Sequence, residues 1–166
     1  GVDAGTDLAE MAGLDLDGGI VVDAYGRTSE PGIWAAGDCT VFPFRGEPTR
    51  LESVQNAVDQ AECVAANLMG AERVYDPAPW FWSDQFDLAL QIAGLNRGYD
   101  RVVVRPGTQP GTQSHWYYRG DTLLACDAMN DPRSYMTAKR LIEAGKSPAA
   151  DLVADGSVNL KDLLSA

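Results

Sequence analysis

Asp76-Pro77-Ala78-Pro79-Trp80-Phe81-Trp82-Ser83-Asp84-Gln85-Phe86-Asp87 (DPAPWFWSDQFD) divides this chain into two differently patterned parts. The two prolines push residues 76 and 78 toward extended backbone, so no helix runs through the stretch. Downstream, short strand-like segments follow one another: Trp80 to Phe86, Leu88 to Ala93, Arg101 to Arg105, Ser114 to Tyr118 and Thr122 to Cys126. Turn signals separate them at Asn96-Arg97-Gly98, Pro106-Gly107, Pro110-Gly111 and Arg119-Gly120-Asp121. The spacing suits an antiparallel meander. Asn130-Asp131-Pro132 then caps a helix that places Tyr135, Ala138, Leu141 and Ile142 on one face. Short turns at 149–153 and 160–164 finish the chain. Strands followed by one packed helix predict an α+β domain over 74–166.

Upstream, over 1–73, the pattern is mixed. A short helix is expected from Thr6 to Ala12, with Thr6 or Asp7 to cap it and Gly13 to stop it. Gly19-Ile20-Val21-Val22 reads as a strand. A second strand is expected at Ile33-Trp34-Ala35-Ala36, ending at Gly37-Asp38, with a Gly-, Pro- and Phe-rich loop from Val41 to Thr49. From Ser53 to Met69, Val54, Ala57, Val58, Ala61, Val64, Ala65 and Leu68 recur at three- and four-residue steps, an amphipathic helix closed by Gly70.

Composition removes several function classes. The net charge of −11 excludes a broad nucleic-acid footprint. The acids concentrate in residues 1 to 38, where Asp3, Asp7, Glu10, Asp15, Asp17, Asp23, Glu30 and Asp38 face Arg27 alone. No apolar run approaches the ~18 residues of a membrane helix. The N-terminus has no basic flank and no long apolar core, so no signal peptide is expected, and Gly1 in place of methionine points to processing or to a longer parent. Cys39, Cys63 and Cys126 form no C-x-x-C pair and His115 is the only histidine, so no metal site is expected. Three reduced thiols suit a cytoplasmic setting. Trp34 and Trp116 read as core, and His115 as a sheet-surface residue without a catalytic part.

Two stretches together carry a family resemblance. One is T-S-x-P-x-I-x-A-x-G-D-C at Thr28 to Cys39 with R-L-E-S-V-x-N-A at Arg50 to Ala57. The other is P-W-F-W-S-D-Q-F-D at Pro79 to Asp87 with L-Q-I-A-G-L at Leu90 to Leu95 and G-Y-D-R-V-V-V at Gly98 to Val104. Over essentially its whole length the chain resembles the C-terminal part of the FAD-dependent NADH:ferredoxin reductases of the putidaredoxin and rubredoxin reductase type. These belong to the pyridine nucleotide-disulfide oxidoreductase superfamily. The resemblance implies that residues 1–73 are the second segment of a split, Rossmann-like FAD-binding domain and 74–166 the reductase C-terminal domain. It also implies that the glycine-rich phosphate loop and the NADH site lie on sequence outside this chain.

The implied cofactor is FAD, with NADH as substrate and a [2Fe-2S] ferredoxin serving an oxygenase as electron acceptor. The implied cofactor-binding residues are Gly37, Asp38, Ser53, Val54, Gln55 and Trp82. Asp38, an acceptor-only carboxylate, would take a ribityl hydroxyl, and Gly37 would let the backbone approach closely. The helix opening at Ser53-Val54-Gln55 would turn free N–H groups to the flavin, with Gln55 standing where relatives commonly carry proline. Trp82 would lie beside the flavin ring. No side chain is needed as acid, base or nucleophile. The piece alone is expected to be inactive and, with an open sheet edge in residues 1–40, prone to self-association. Two other readings compete: a non-catalytic interaction or dimerisation module, and a related FAD reductase with a different electron acceptor.

Overall fold

A computed structural model describes residues 2–164. The chain forms two compact units, Gly1–Pro77 and Ala78–Ala166.

The first unit opens with helix α1, Asp7–Met11, which is closed by Gly13 in the left-handed region (φ 71°). Strand β1, Ile20–Val21, pairs in parallel with β2, Thr40–Phe44, which pairs antiparallel with β3, Glu47–Thr49. This differs from expectation in two places. Residues 33–36 form no strand: Arg27 and Trp34 make a single bridge, and Ala35 N–H goes to the carbonyl of Gly26. Ile33 is instead taken up in a local turn, accepting Thr28 N–H and donating to Glu30 O, and Trp34 is half-buried against the Arg27 guanidinium, not in a core. The supposed loop after Gly37-Asp38 is instead the β2–β3 hairpin, turned by Arg45 and Gly46 with positive φ. Pro43 faces Pro48 in it. The ladder's alternation makes this a pair without mutual hydrogen bonds, the position where two prolines cost no N–H.

Helix α2, Val54–Leu68, is capped by Ser53, whose hydroxyl accepts from Asn56 N–H at 3.1 Å. Its buried residues are Asn56, Gln60, Cys63, Val64 and Asn67. Four of these five recur at helical spacing as a polar stripe, while Val54, Val58 and Leu68 stand exposed. The polar stripe is inside because each member has a fixed acceptor or donor. Asn67 Nδ2 donates to the carbonyls of Tyr25 and Arg73, and its Oδ1 accepts from Arg73 N–H. The Tyr75 hydroxyl donates to Asn56 Oδ1 at 2.9 Å, and its ring meets Phe42 edge-on.

The second unit is a five-stranded antiparallel sheet with helices on one face. Its strands are β4 (Trp80–Gln85), β5 (Leu88–Gly94), β6 (Arg101–Pro106), β7 (Gln113–Arg119) and β8 (Thr122–Met129), in the order β4-β5-β8-β7-β6. All neighbours are antiparallel, but the sheet is not a simple meander: β5 pairs with β8, and the chain crosses to the far edge to begin β6. Helix α3, Pro132–Glu143, is capped by Asp131, which accepts from Ser134 N–H and Oγ. It packs with α4, Ala150–Ala154, and α5, Leu160–Leu163, over Val103, Trp116, Tyr118, Leu123 and Cys126. Trp116 is fully buried with its indole N–H on Ser114 Oγ, as expected of a core residue.

Arg105 is buried on the same side. Its guanidinium donates to the carbonyls of Val153, Asp155 and Val158 at 2.7–2.9 Å, tying the end of α4 to the turn before α5. Replacing it by Met is expected to cost roughly 3 kcal/mol or more, because those carbonyls lose a charged donor. Trp116→Ala is expected to cost about 3–5 kcal/mol as a core truncation. Both follow from denaturant unfolding of the chain. Burial pushes the Tyr118 hydroxyl, which donates to Pro148 O, from 10.0 up to about 12 against the opposing charge of Arg101. The unfolded chain then loses this proton before the folded one, so stability falls as pH rises from 10 toward 12. Tyr118→Phe should remove that share of the alkaline loss in urea titrations across this range.

Candidate functional site

Gly37, Asp38, Cys39 and Thr40 form a turn, with Thr40 N–H and Oγ1 both donating to Gly37 O. The turn is fixed from below by Gln60. Its buried Oε1 accepts Gly37 N–H at 2.7 Å and the Thr40 hydroxyl at 2.9 Å. Gly37 has φ 88°, and a Cβ added there would lie 3.5 Å from the methyl of Ala57. The glycine is therefore required by backbone conformation, while its contact with Ala57 seats the turn on the opening of α2.

Asp38 projects from this turn. It is exposed, and among the described residues no hydrogen bond engages its carboxylate. Beside it α2 begins. Ser53 O accepts Ala57 N–H and Ser53 Oγ accepts Asn56 N–H, whereas the N–H groups of Val54 and Gln55 have no acceptor among the described residues. The turn that carries the unpaired carboxylate thus lies against α2 at Ala57 and Gln60, the helix whose opening carries the two unpaired N–H groups. Such a set suits a ligand offering hydroxyl donors at one end and carbonyl acceptors at the other. That is the chemistry of a flavin's ribityl chain and ring edge, so the residues fit the implied FAD.

Of the residues expected to bind cofactor, Gly37, Asp38, Ser53, Val54 and Gln55 are brought together here. Val54 is 65% exposed, and the polar group it offers a ligand is its N–H. Gln55 has turned its amide onto Asp59. Trp82 belongs to the second unit. It lies on edge strand β4, 39% exposed, stacked on Trp80 at 5.4 Å between ring centres and tilted against Phe81. An aromatic face partly open to solvent on an unpaired sheet edge is available to a planar ligand. His115 is half-buried on β7. Among the described residues no group of His, Cys, Asp or Glu is arranged to hold a metal ion, and no helix is long and apolar enough to cross a membrane.

Gln60 and Thr40, which hold the turn, went unnoticed in the sequence. The signal was present: Asn56, Gln60, Cys63 and Asn67 follow i, i+4, i+7 and i+11, the spacing of one helix face.

Residues 80–164 match the family described as reductase C-terminal, and residues 1–61 match that of pyridine nucleotide-disulphide oxidoreductases. Rhodocoxin reductase of Rhodococcus erythropolis is 43% identical over 97% of this chain and 38% of its own length. Putidaredoxin reductase of Pseudomonas putida is 40% identical over 96% and 38%. The crystal structure of the ferredoxin reductase for the CYP199A2 system of Rhodopseudomonas palustris superposes with a TM-score of 0.91 at 41% identity, over 98% of this chain and 41% of the other. The covalent putidaredoxin reductase–putidaredoxin complex also gives 0.91, at 39% identity and over 99% and 40%. The chain spans about two fifths of the length of the relatives it matches. With half of its residues under the first family description and this agreement over its length, the chain belongs to the reductase C-terminal family.

Proposed function

We propose that this chain is the part of an NADH-dependent ferredoxin reductase that completes its FAD site. Residues 1–73 act as the second segment of the FAD-binding domain and 74–166 as the C-terminal domain. The observation that carries the reading is that Gln60 holds the turn bearing the unpaired Asp38 carboxylate against α2, whose opening carries the unpaired N–H groups of Val54 and Gln55. When bound, FAD supplies the chemistry, taking two electrons from NADH and releasing them singly to a ferredoxin of the [2Fe-2S] type.

The chain's own residues bind and orient. Asp38 accepts a ribityl hydroxyl, a charge-assisted bond. Ser53 keeps the first turn of α2 formed by satisfying Asn56 N–H, which leaves Val54 and Gln55 free to donate to the ring's carbonyl edge. The positive end of α2 favours the ring in its electron-rich reduced form. Trp82 supplies an aromatic face to the same cofactor. The putidaredoxin reductase whose complex resembles this fold binds putidaredoxin, which supports a ferredoxin as partner here. Three unpaired thiols, Cys39, Cys63 and Cys126, support a cytoplasmic location.

The isolated chain is expected to purify without stoichiometric flavin and to show no NADH oxidation, since no phosphate-binding glycine loop is among its residues. Addition of the flavin-domain half of a full-length relative, followed by absorbance, tests whether FAD is then retained. In the full-length reductase, Asp38→Ala should weaken FAD roughly ten- to a hundredfold through loss of a bond of about 1.5–3 kcal/mol. Trp82→Ala should leave flavin retention close to wild type and slow transfer to ferredoxin in stopped-flow, with reduction by NADH less affected. A Trp82→Ala variant that only melts earlier, as Trp116→Ala should, would overturn the assignment of Trp82.

A further inference from the structure

One side-chain pair at the opening of α2 has no part in the binding scheme above. Gln55 donates Nε2 to Asp59 Oδ1 at 2.6 Å, in a partly buried bond one turn along the helix. Helical side chains lean toward the N-terminus, so the Asp59 carboxylate lies over the first turn and not beyond it. The remainder of that turn is committed elsewhere. Ser53 Oγ holds Asn56 N–H, and the Asn56 amide is bonded to Leu51 O and to the Tyr75 hydroxyl. A full negative charge is thereby pinned near the two free N–H groups, opposite in sign to the partial charge of the helix end. The same carboxylate also acts on a group bonded to this turn. The Tyr75 hydroxyl is held well above its ordinary range, first by burial and next by the charge of Asp59.

We propose that Gln55 and Asp59 are a positioning pair that sets the reduction potential of the ring bound at the opening of α2. Gln55 holds the carboxylate where it offsets part of the stabilisation that Val54 and Gln55 N–H give the electron-rich reduced ring. The pair makes the bound flavin harder to reduce and a stronger donor once reduced. This rests on the flavin reading above.

The test is the midpoint potential of FAD in the full-length reductase, measured by reductive titration against reference dyes. Asp59→Asn keeps the shape and removes the charge, and its midpoint should move positive. Asp59→Glu keeps the charge and should stay near wild type. Gln55→Leu retains the backbone N–H but frees the carboxylate to swing into solvent, giving a smaller positive shift. Gln55→Pro is tolerated in the first helical turn but deletes one N–H donor as well as the hold on Asp59, so its midpoint should lie below that of Gln55→Leu. A purely structural pair would lower melting temperature in these variants without ordering the potentials in this way. Flavin-loaded Asp59→Asn and Gln55→Leu proteins at the wild-type potential would overturn the proposal and leave the flavin reading intact. Failure of that reading itself would appear elsewhere, as wild-type FAD affinity in Asp38→Ala.

Discussion

The side-chain carbonyl of Gln60 accepts two hydrogen bonds inside the first unit, from Gly37 N–H and from the Thr40 hydroxyl. Both donors are buried; the Thr40 hydroxyl shares its proton with Gly37 O, but Gly37 N–H has no other acceptor among the described residues, and leaving it unpaired would cost on the order of 1–3 kcal/mol. Hydrogen bonds are directional, so this junction fixes the turn and helix α2 in rotation as well as distance. An apolar contact of the same area would allow the helix to slide. The position of the turn that carries Asp38 relative to α2 follows from that one atom.

The stripe Asn56, Gln60, Cys63, Asn67 extends the same logic along the helix. Each residue reaches a backbone group or side chain distant in sequence: Gly37, Tyr25, Arg73 or Tyr75. The unit holds little regular sheet, with strands of two, five and three residues. Its loops are organised by a helix that bonds them. Hydrophobic burial by Phe42, Phe44 and Val64 adds cohesion, but the geometry is set by polar partners.

Much of this was legible in the sequence, and the failures have physical causes. The strands of the second unit were readable because β-branched and aromatic residues lie between glycine and proline turns. Their lateral order was not, because β5 finds its partner in β8 through contacts far apart in sequence. The α2 helix was found from its apolar period, yet the buried face is the polar one. Hydropathy registers how readily a side chain leaves water and carries no information on the partners waiting for it. Pro43 and Pro48 disguised a hairpin as a loop, since the tolerance of an antiparallel ladder for paired prolines depends on register. At the candidate site, Asp38 and Gly37 were visible in their motif, whereas Gln60 and Asp59 acquire meaning only once the helix is placed.

The central place of β8 in the second unit has a consequence for how this sheet assembles. Strands β4 and β5 leave the ribosome first and make a local hairpin, but β5 meets its inner neighbour only after β6, β7 and β8 have been synthesised. The late β6-β7-β8 segment consists of local antiparallel pairings and forms readily by itself. The early hairpin, carrying Trp80, Phe81, Trp82 and Phe86, must wait with one edge unpaired and its aromatic rings in water. During synthesis this is the stretch most exposed to wrong partners. Asp84 and Asp87, two acids near the hairpin turn, give it a charge that discourages association while it waits.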